Sequence, residues 1–148
     1  MLHIHIIAVG TLKEKYFTDA VAEYVKRLSK YCKLEIVQIK ESTPQKECAD
    51  IREKLKAQPK AHVFLCDING RLVSSEALAS ELGGLTQTTS CVTFVVGGSD
   101  GVGANLDDVI NERVSFGRVT LPHQLFRVVL VEQIYRAFTI QSGEKYHK

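Results

Sequence analysis

The stretch Cys91-Val92-Thr93-Phe94-Val95-Val96-Gly97-Gly98-Ser99-Asp100-Gly101-Val102-Gly103 decides the fold. Its first half is almost continuously apolar, β-branched or aromatic, the pattern of a strand covered on both faces of a parallel sheet. Its second half breaks into glycines, which let backbone N–H groups approach a ligand closely or form an anion nest. The reading is a buried central strand ending in a ligand loop. The common phosphate motifs do not explain the loop. Gly98, Gly101 and Gly103 reverse the order of GxGxxG, and no Gly-Lys-Ser/Thr follows as in a P-loop.

Outward from this strand, Val- and Ile-rich runs predict further strands over 2–9, 34–39, 62–66 and 115–121. Between them lie segments of helical period. Thr11 and Glu14 have capping-box spacing ahead of a stripe of Phe17, Val21, Tyr24 and Leu28. Thr43-Pro44 opens a second helix, with Cys48, Ile51 and Leu55 on its apolar face. A third is expected from Ser75 to about Leu82, stopping at Gly83-Gly84, and a short fourth from Asn105, with Asp107 and Asp108 in its first turn. The last helix, from about His123 to Ile140, is apolar nearly all round and so needs burial on more than one side. In so small a chain the second surface is expected to be another subunit, giving a homodimer. The alternation of strands and helices specifies an α/β domain of three layers, α/β/α, with a mostly parallel sheet of five to six strands. Ligands in such sheets bind beyond the carboxyl ends of the strands, here after the third, fourth and fifth.

The chain has 148 residues, which fits a single domain over 1–148. Nineteen Lys and Arg against seventeen Asp and Glu leave +2, too little for binding that rests on phosphate neutralisation alone. No apolar run reaches the ~18 residues of a membrane helix, and the start lacks the basic region and cleavage site of a secretory leader. A cytoplasmic protein with no membrane partner is expected. The four cysteines, at 32, 48, 66 and 91, form no CxxC pair and read as buried thiols in a reducing compartment.

Several polar residues have both a plain and a chemical reading. His3 and His5 share a strand face but lack a visible third ligand, so two surface imidazoles are favoured and no metal is expected. His123 opens the last helix as either a solvated cap or a site residue. Glu132 and Arg136 are spaced to pair on that helix. The tail, Tyr146-His147-Lys148, reads physically as frayed, although it offers a stacking ring, an imidazole and a cation to RNA. Lys13, Lys15, Lys26, Arg27 and Lys30 on the first helix read as a solvated face ahead of an RNA contact.

Four segments together resemble one family: Val96-Gly97-Gly98-Ser99-Asp100-Gly101, Thr120-Leu121-Pro122-His123-Gln124, 127–137 with its Arg127 and Arg136, and the Tyr146-His147-Lys148 end. It is the bacterial 23S ribosomal RNA pseudouridine-N3 methyltransferases, small members of the SPOUT class. The start, Ile7-Ala8-Val9-Gly10 with Lys13-Glu14-Lys15-Tyr16, is similar as well. The resemblance implies S-adenosyl-L-methionine as methyl donor and a deep trefoil knot near the C-terminus, a topology that ordinary chain-threading rules disfavour. It implies a cofactor pocket at Cys66, Gly97, Gly98, Phe116, Gly117, Arg118, Val119, Thr120 and Leu121. Cys66 stands where the family more often has leucine, and the region from Glu41 to Lys60 is shorter than in some relatives.

The implied reaction takes the N3 proton of a pseudouridine as a methyl group arrives. Arg136 is the candidate cation for the forming imidate and His147 the candidate proton acceptor. Tyr146 and His123 are candidate substrate-binding residues. The resemblance also implies a homodimer with the active site at the subunit boundary, and 23S rRNA within the 70S ribosome as partner. An inactive RNA- or ribosome-binding dimer, and a transfer-RNA methyltransferase of the same fold class, remain open alternatives.

Overall fold

A computed structural model describes residues 1–98 and 106–148. Five strands, β1 (Leu2–Val9), β2 (Cys32–Ile39), β3 (His62–Leu72), β4 (Cys91–Val96) and β5 (Glu112–Ser115), form one sheet in the order β2-β1-β4-β3-β5. Every pairing is parallel. The central position of β4 follows from its sequence, since Val92 through Val96 are all buried. The helices are α1 (Lys15–Leu28), α2 (Pro44–Lys56), α3 (Ser75–Leu85) and α4 (His123–Ser142). One face of the sheet packs on α1, α3 and α4 through Ile4, Ile6, Phe64, Phe94, Leu130 and Ile134. The other packs on α2 and on Leu106, through Ile7, Ile51, Leu65 and Val95. The three-layer α/β expectation is met, with five strands.

The second helix starts as expected: Thr43 Oγ1 accepts from the Lys46 N–H at 3.2 Å, and Pro44 takes the first helical position. The first does not. Its N-cap is Glu14, without a side-chain cap, so the Thr11–Glu14 box is absent. The third helix runs through Gly83-Gly84 to Leu85, because Leu82 is fully buried and tertiary packing outweighs the roughly 1 kcal/mol helix cost of a glycine.

The expected strand at 115–121 is displaced to Glu112–Ser115. Ser115 Oγ donates to the Gly117 carbonyl and accepts from its N–H, and Gly117 has φ +148°, which turns the chain out of the sheet. Charged Glu112 and Arg113 conceal an edge strand because their charges are paired, Glu112 with His62 and Arg71, Arg113 with Asp67 and Asp107. The third strand continues past its expected end at Cys66. Its register against β5 shifts between Cys66 and Arg71, so Asn69-Gly70 sits within a bulge. The expected helix start at Asn105, the Ser99–Gly103 part of the glycine loop and the chain crossing of a knot after β4 all lie outside the described residues. Asp107 and Asp108 pair with Arg113 and Arg52.

The all-round apolarity of α4 finds much of its explanation within the chain. The helix packs against both α1 and α3, and Leu130, Val131, Ile134, Ala137 and Phe138 enter the same core. It ends at Gly143, in the left-handed region with φ +72°.

Candidate functional site

A cleft of about 550 Å³ opens at the carboxyl ends of β3, β4 and β5, within the range typical of small-molecule sites. Its walls are Leu65, Val96, Val114 and the face of α4 formed by His123, Phe126 and Val129, spaced three apart. The rings of Phe116 and Phe126 stack at 5.6 Å. Along the mouth run residues 117–121. Among the described residues, Arg118 through Leu121 make no backbone–backbone hydrogen bonds, so their N–H and C=O groups are free to meet a ligand.

Eight of the nine expected cofactor residues line this cleft: Cys66, Gly97, Gly98, Phe116, Gly117, Val119, Thr120 and Leu121. Arg118 does not. Its guanidinium donates to the Ile68 carbonyl and straps the 117–121 segment to the β3 bulge. Sequence reasoning missed Asp67, Arg113, Phe126 and Val129. The threefold spacing from His123 was the available signal for the last two.

Burial pushes the Cys66 thiol up to about 12, so it stays protonated and is no nucleophile near neutrality. Asp67 accepts from Arg113 at 2.8 Å, closing the polar side of the cleft with an ion pair. His123 lies on the wall with its Nε2 buried and unpaired, 3.8 Å from Oε1 of Glu41. Fully buried Arg127, one turn on, donates from Nη2 to the carbonyls of Val9 and Gly10 at 3.2 Å each. Desolvation lowers the pKa of its guanidinium.

The tail is docked, contrary to the frayed expectation. The Tyr146 hydroxyl donates to Oε2 of Glu132 at 2.8 Å, and its ring meets Tyr135 edge-on at 4.8 Å. Arg136 pairs with Glu132 at 2.6 Å, as its spacing predicted, and lies 4.8 Å over the Tyr146 ring. Burial, with the bonds to Tyr24 and Glu132, raises the Tyr146 pKa. Both nitrogens of His147 are engaged: Nδ1 lies 3.1 Å from Nη1 of Arg136, and Nε2 lies 2.7 Å from Oε1 of Glu76. Arg136 can only donate, so Nδ1 accepts and Nε2 carries the proton toward Glu76. Arg136, Tyr146 and His147 therefore form one cluster, and none of them lines the cleft of their own chain.

His5 is a buried residue rather than a surface imidazole. Its Nδ1 accepts from Nε2 of Gln58 at 2.6 Å, and the Gln58 Oε1 accepts from Thr93 at 2.7 Å. Among the described residues no group of three or more His, Cys, Asp or Glu is placed to hold a metal. All four cysteines are free; Cys32 and Cys48 are buried, Cys66 and Cys91 partly so. On α1, Lys15, Arg27 and Lys30 are paired with Asp19, Glu23 and Glu144, which mutes the basic face. No described helix is long and apolar enough to cross a membrane.

The model of a family described as "Predicted SPOUT methyltransferase" matches residues 2–147. A protein of Latilactobacillus sakei named ribosomal RNA large subunit methyltransferase H is 45% identical over 159 aligned positions, covering 99% of this chain and 100% of the relative. A protein of the same name from Listeria monocytogenes serotype 4b is 47% identical, with the same coverage. Among solved structures, a TrmH/SpoU tRNA-modifying enzyme of A. aeolicus superposes with a TM-score of 0.46 at 10% identity, over 95% of this chain and 77% of that one.

Proposed function

The chain belongs to the SPOUT methyltransferase family, and from that premise we propose that it methylates N3 of a pseudouridine in 23S ribosomal RNA of the assembled 70S ribosome, using S-adenosyl-L-methionine, as a cytoplasmic homodimer. The observation that carries the reading is the cleft itself: an apolar slot bordered by backbone unpaired among the described residues, in a chain alike end to end to proteins named as ribosomal RNA methyltransferases.

The residues present fit the cofactor. An adenine needs a flat apolar cradle and backbone donors and acceptors at its edge. Leu65, Val96, Phe116, Leu121 and Phe126 supply the cradle, and the free N–H and C=O groups of 118–121 supply the edge. S-adenosyl-L-methionine brings an electrophilic methyl group on a sulfonium, so the protein's task is alignment and the handling of one proton. The protonated Cys66 thiol leaves that methyl group for the substrate.

Arg136 and Tyr146 are proposed to meet the target base, the guanidinium stabilising the imidate and the ring stacking on the base. Their cluster stands away from the cleft of its own chain, which supports delivery to the cleft of a second copy. The cleft mouth offers that copy an apolar rim, with Val119 78% and Ile68 37% exposed. The fully engaged His147 holds Arg136 against Glu132, so its proposed part is orientation.

Titration calorimetry with S-adenosyl-L-methionine tests the cofactor assignment. One site per chain is expected, weakened at least tenfold by a Gly117→Val substitution, which strains a φ of +148° in the segment that lines the cleft. Absence of binding to the unaltered chain favours the reading of an inactive RNA-binding dimer.

A further inference from the structure

The proposed reaction requires a proton acceptor, and the cleft contains a histidine whose ring nitrogens are uncommitted. We propose that His123 takes the N3 proton of the target base and that Glu41 positions it; this rests on the methyltransferase reading above. The His123 ring lines the cleft at the first turn of α4. Nε2 is buried, has no hydrogen-bond partner among the described residues and lies 3.8 Å from Oε1 of Glu41, a loose contact of the kind that tightens when a substrate binds. Nδ1 has no hydrogen-bond partner among the described residues. With the Nε2 proton directed at Glu41, the Nδ1 lone pair is open.

Gly10 makes this arrangement possible. A Cβ on Gly10 would stand 2.8 Å from Oε1 of Glu41, and the residue has φ +91°. Any side chain there would push the carboxylate away from the imidazole. Arg127 fixes the same turn from the opposite side through the carbonyls of Val9 and Gly10. Gln124, next to His123, accepts from the Lys13 N–H at 2.9 Å and ties the start of α4 to the chain beyond that turn.

Among the described residues, the competing groups are occupied or in the wrong protonation state. Asp67 is bonded to Arg113 across the cleft, Cys66 is held as the thiol, and both nitrogens of His147 are taken by Arg136 and Glu76. Among the described residues, the charged groups around His123 are Glu41 from the β2–α2 connection, Asp67 and Arg113 across the cleft, Arg127 one turn along α4, and Glu47 of α2 against Gly98. Of these, Glu41 lies within an ion-pair distance. In the step, His123 Nδ1 accepts the N3 proton while the N3 electron pair forms the bond to the methyl carbon. The carbon–sulfur bond breaks with its pair left on sulfur, and the imidazolium then releases its proton to water.

The test is single-turnover methylation of 70S ribosomes at saturating S-adenosyl-L-methionine across pH, with the cofactor Kd measured by calorimetry on the same proteins. The unaltered chain is expected to show a rate that falls as the pH drops, with unit slope, as the acceptor is protonated. His123→Asn and His123→Gln should lower the neutral-pH rate about 100-fold and abolish that acid limb, with the Kd changed less than about twofold. Glu41→Gln should slow transfer about tenfold and keep the limb, and His147→Ala should keep it too. An acid limb that survives both His123 substitutions, or that vanishes in His147→Ala, overturns the assignment. So does loss of cofactor binding in both His123 variants, which would make the ring a structural wall. If the unaltered chain transfers no methyl group, the functional reading fails and the base assignment fails with it.

Discussion

Burial sets the ionisation of His5. Desolvation lowers its pKa from 6.5, only partly countered by Glu35, so the fold holds the imidazole neutral. The unfolded chain then binds that proton more readily. The contribution to stability is full above pH 6.5 and is lost as the pH falls through the lowered folded value. The unaltered protein should therefore lose more Tm between about pH 7.5 and pH 5 than a His5→Gln variant does, and equal losses would contradict this. The residue also shows where single-residue reading stops. Its place on the first strand was legible, but its burial depends on Gln58, Glu35 and Thr93, none of them near it in sequence. His147 teaches the same lesson: spacing announced the Glu132–Arg136 pair, whereas Glu76, 71 residues from His147, has no local signature.

At the scale of elements, hydrophobic period located the strands and helices that bury themselves, and it failed where function begins. The fifth strand was placed three residues late because its paired charges read as loop, and the third strand was ended at Cys66, short of the bulge that holds Asn69-Gly70. Both irregularities border the cleft. Gly70 carries the junction between them. A Cβ there would lie 2.7 Å from backbone atoms of Arg113 and Val114, leaving nothing flexible to move aside. Gly70→Ala should cost about 1–3 kcal/mol in urea unfolding and weaken S-adenosyl-L-methionine binding in the same variant. A neutral outcome on both would show that the β3–β5 contact does not shape the cleft. Eight of the nine residues expected to hold the cofactor line the cleft, because the strand-end rule and the resemblance pointed to the same loops; Arg118 differs because its side chain serves the loop's own geometry.

For the whole molecule, the net charge of +2 and the paired cations of α1 leave little long-range attraction for naked RNA. On the proposed reading, specificity comes from docking on a shaped target, as a dimer whose tails reach the neighbouring clefts. Light scattering at about 10 μM should give twice the chain mass, a concentration at which even a micromolar interface is mostly formed. A monomer there would remove the proposed route of Arg136 and Tyr146 to the cleft of a second copy. The most direct measurement is mass mapping of 23S rRNA after incubation of the purified chain and S-adenosyl-L-methionine with 70S ribosomes lacking the modification, alongside protein-free 23S rRNA. One methyl group added at a pseudouridine in the ribosome, with little or none on the free RNA, is the expected result; no gain in the ribosome, or efficient methylation of the free RNA, would contradict it.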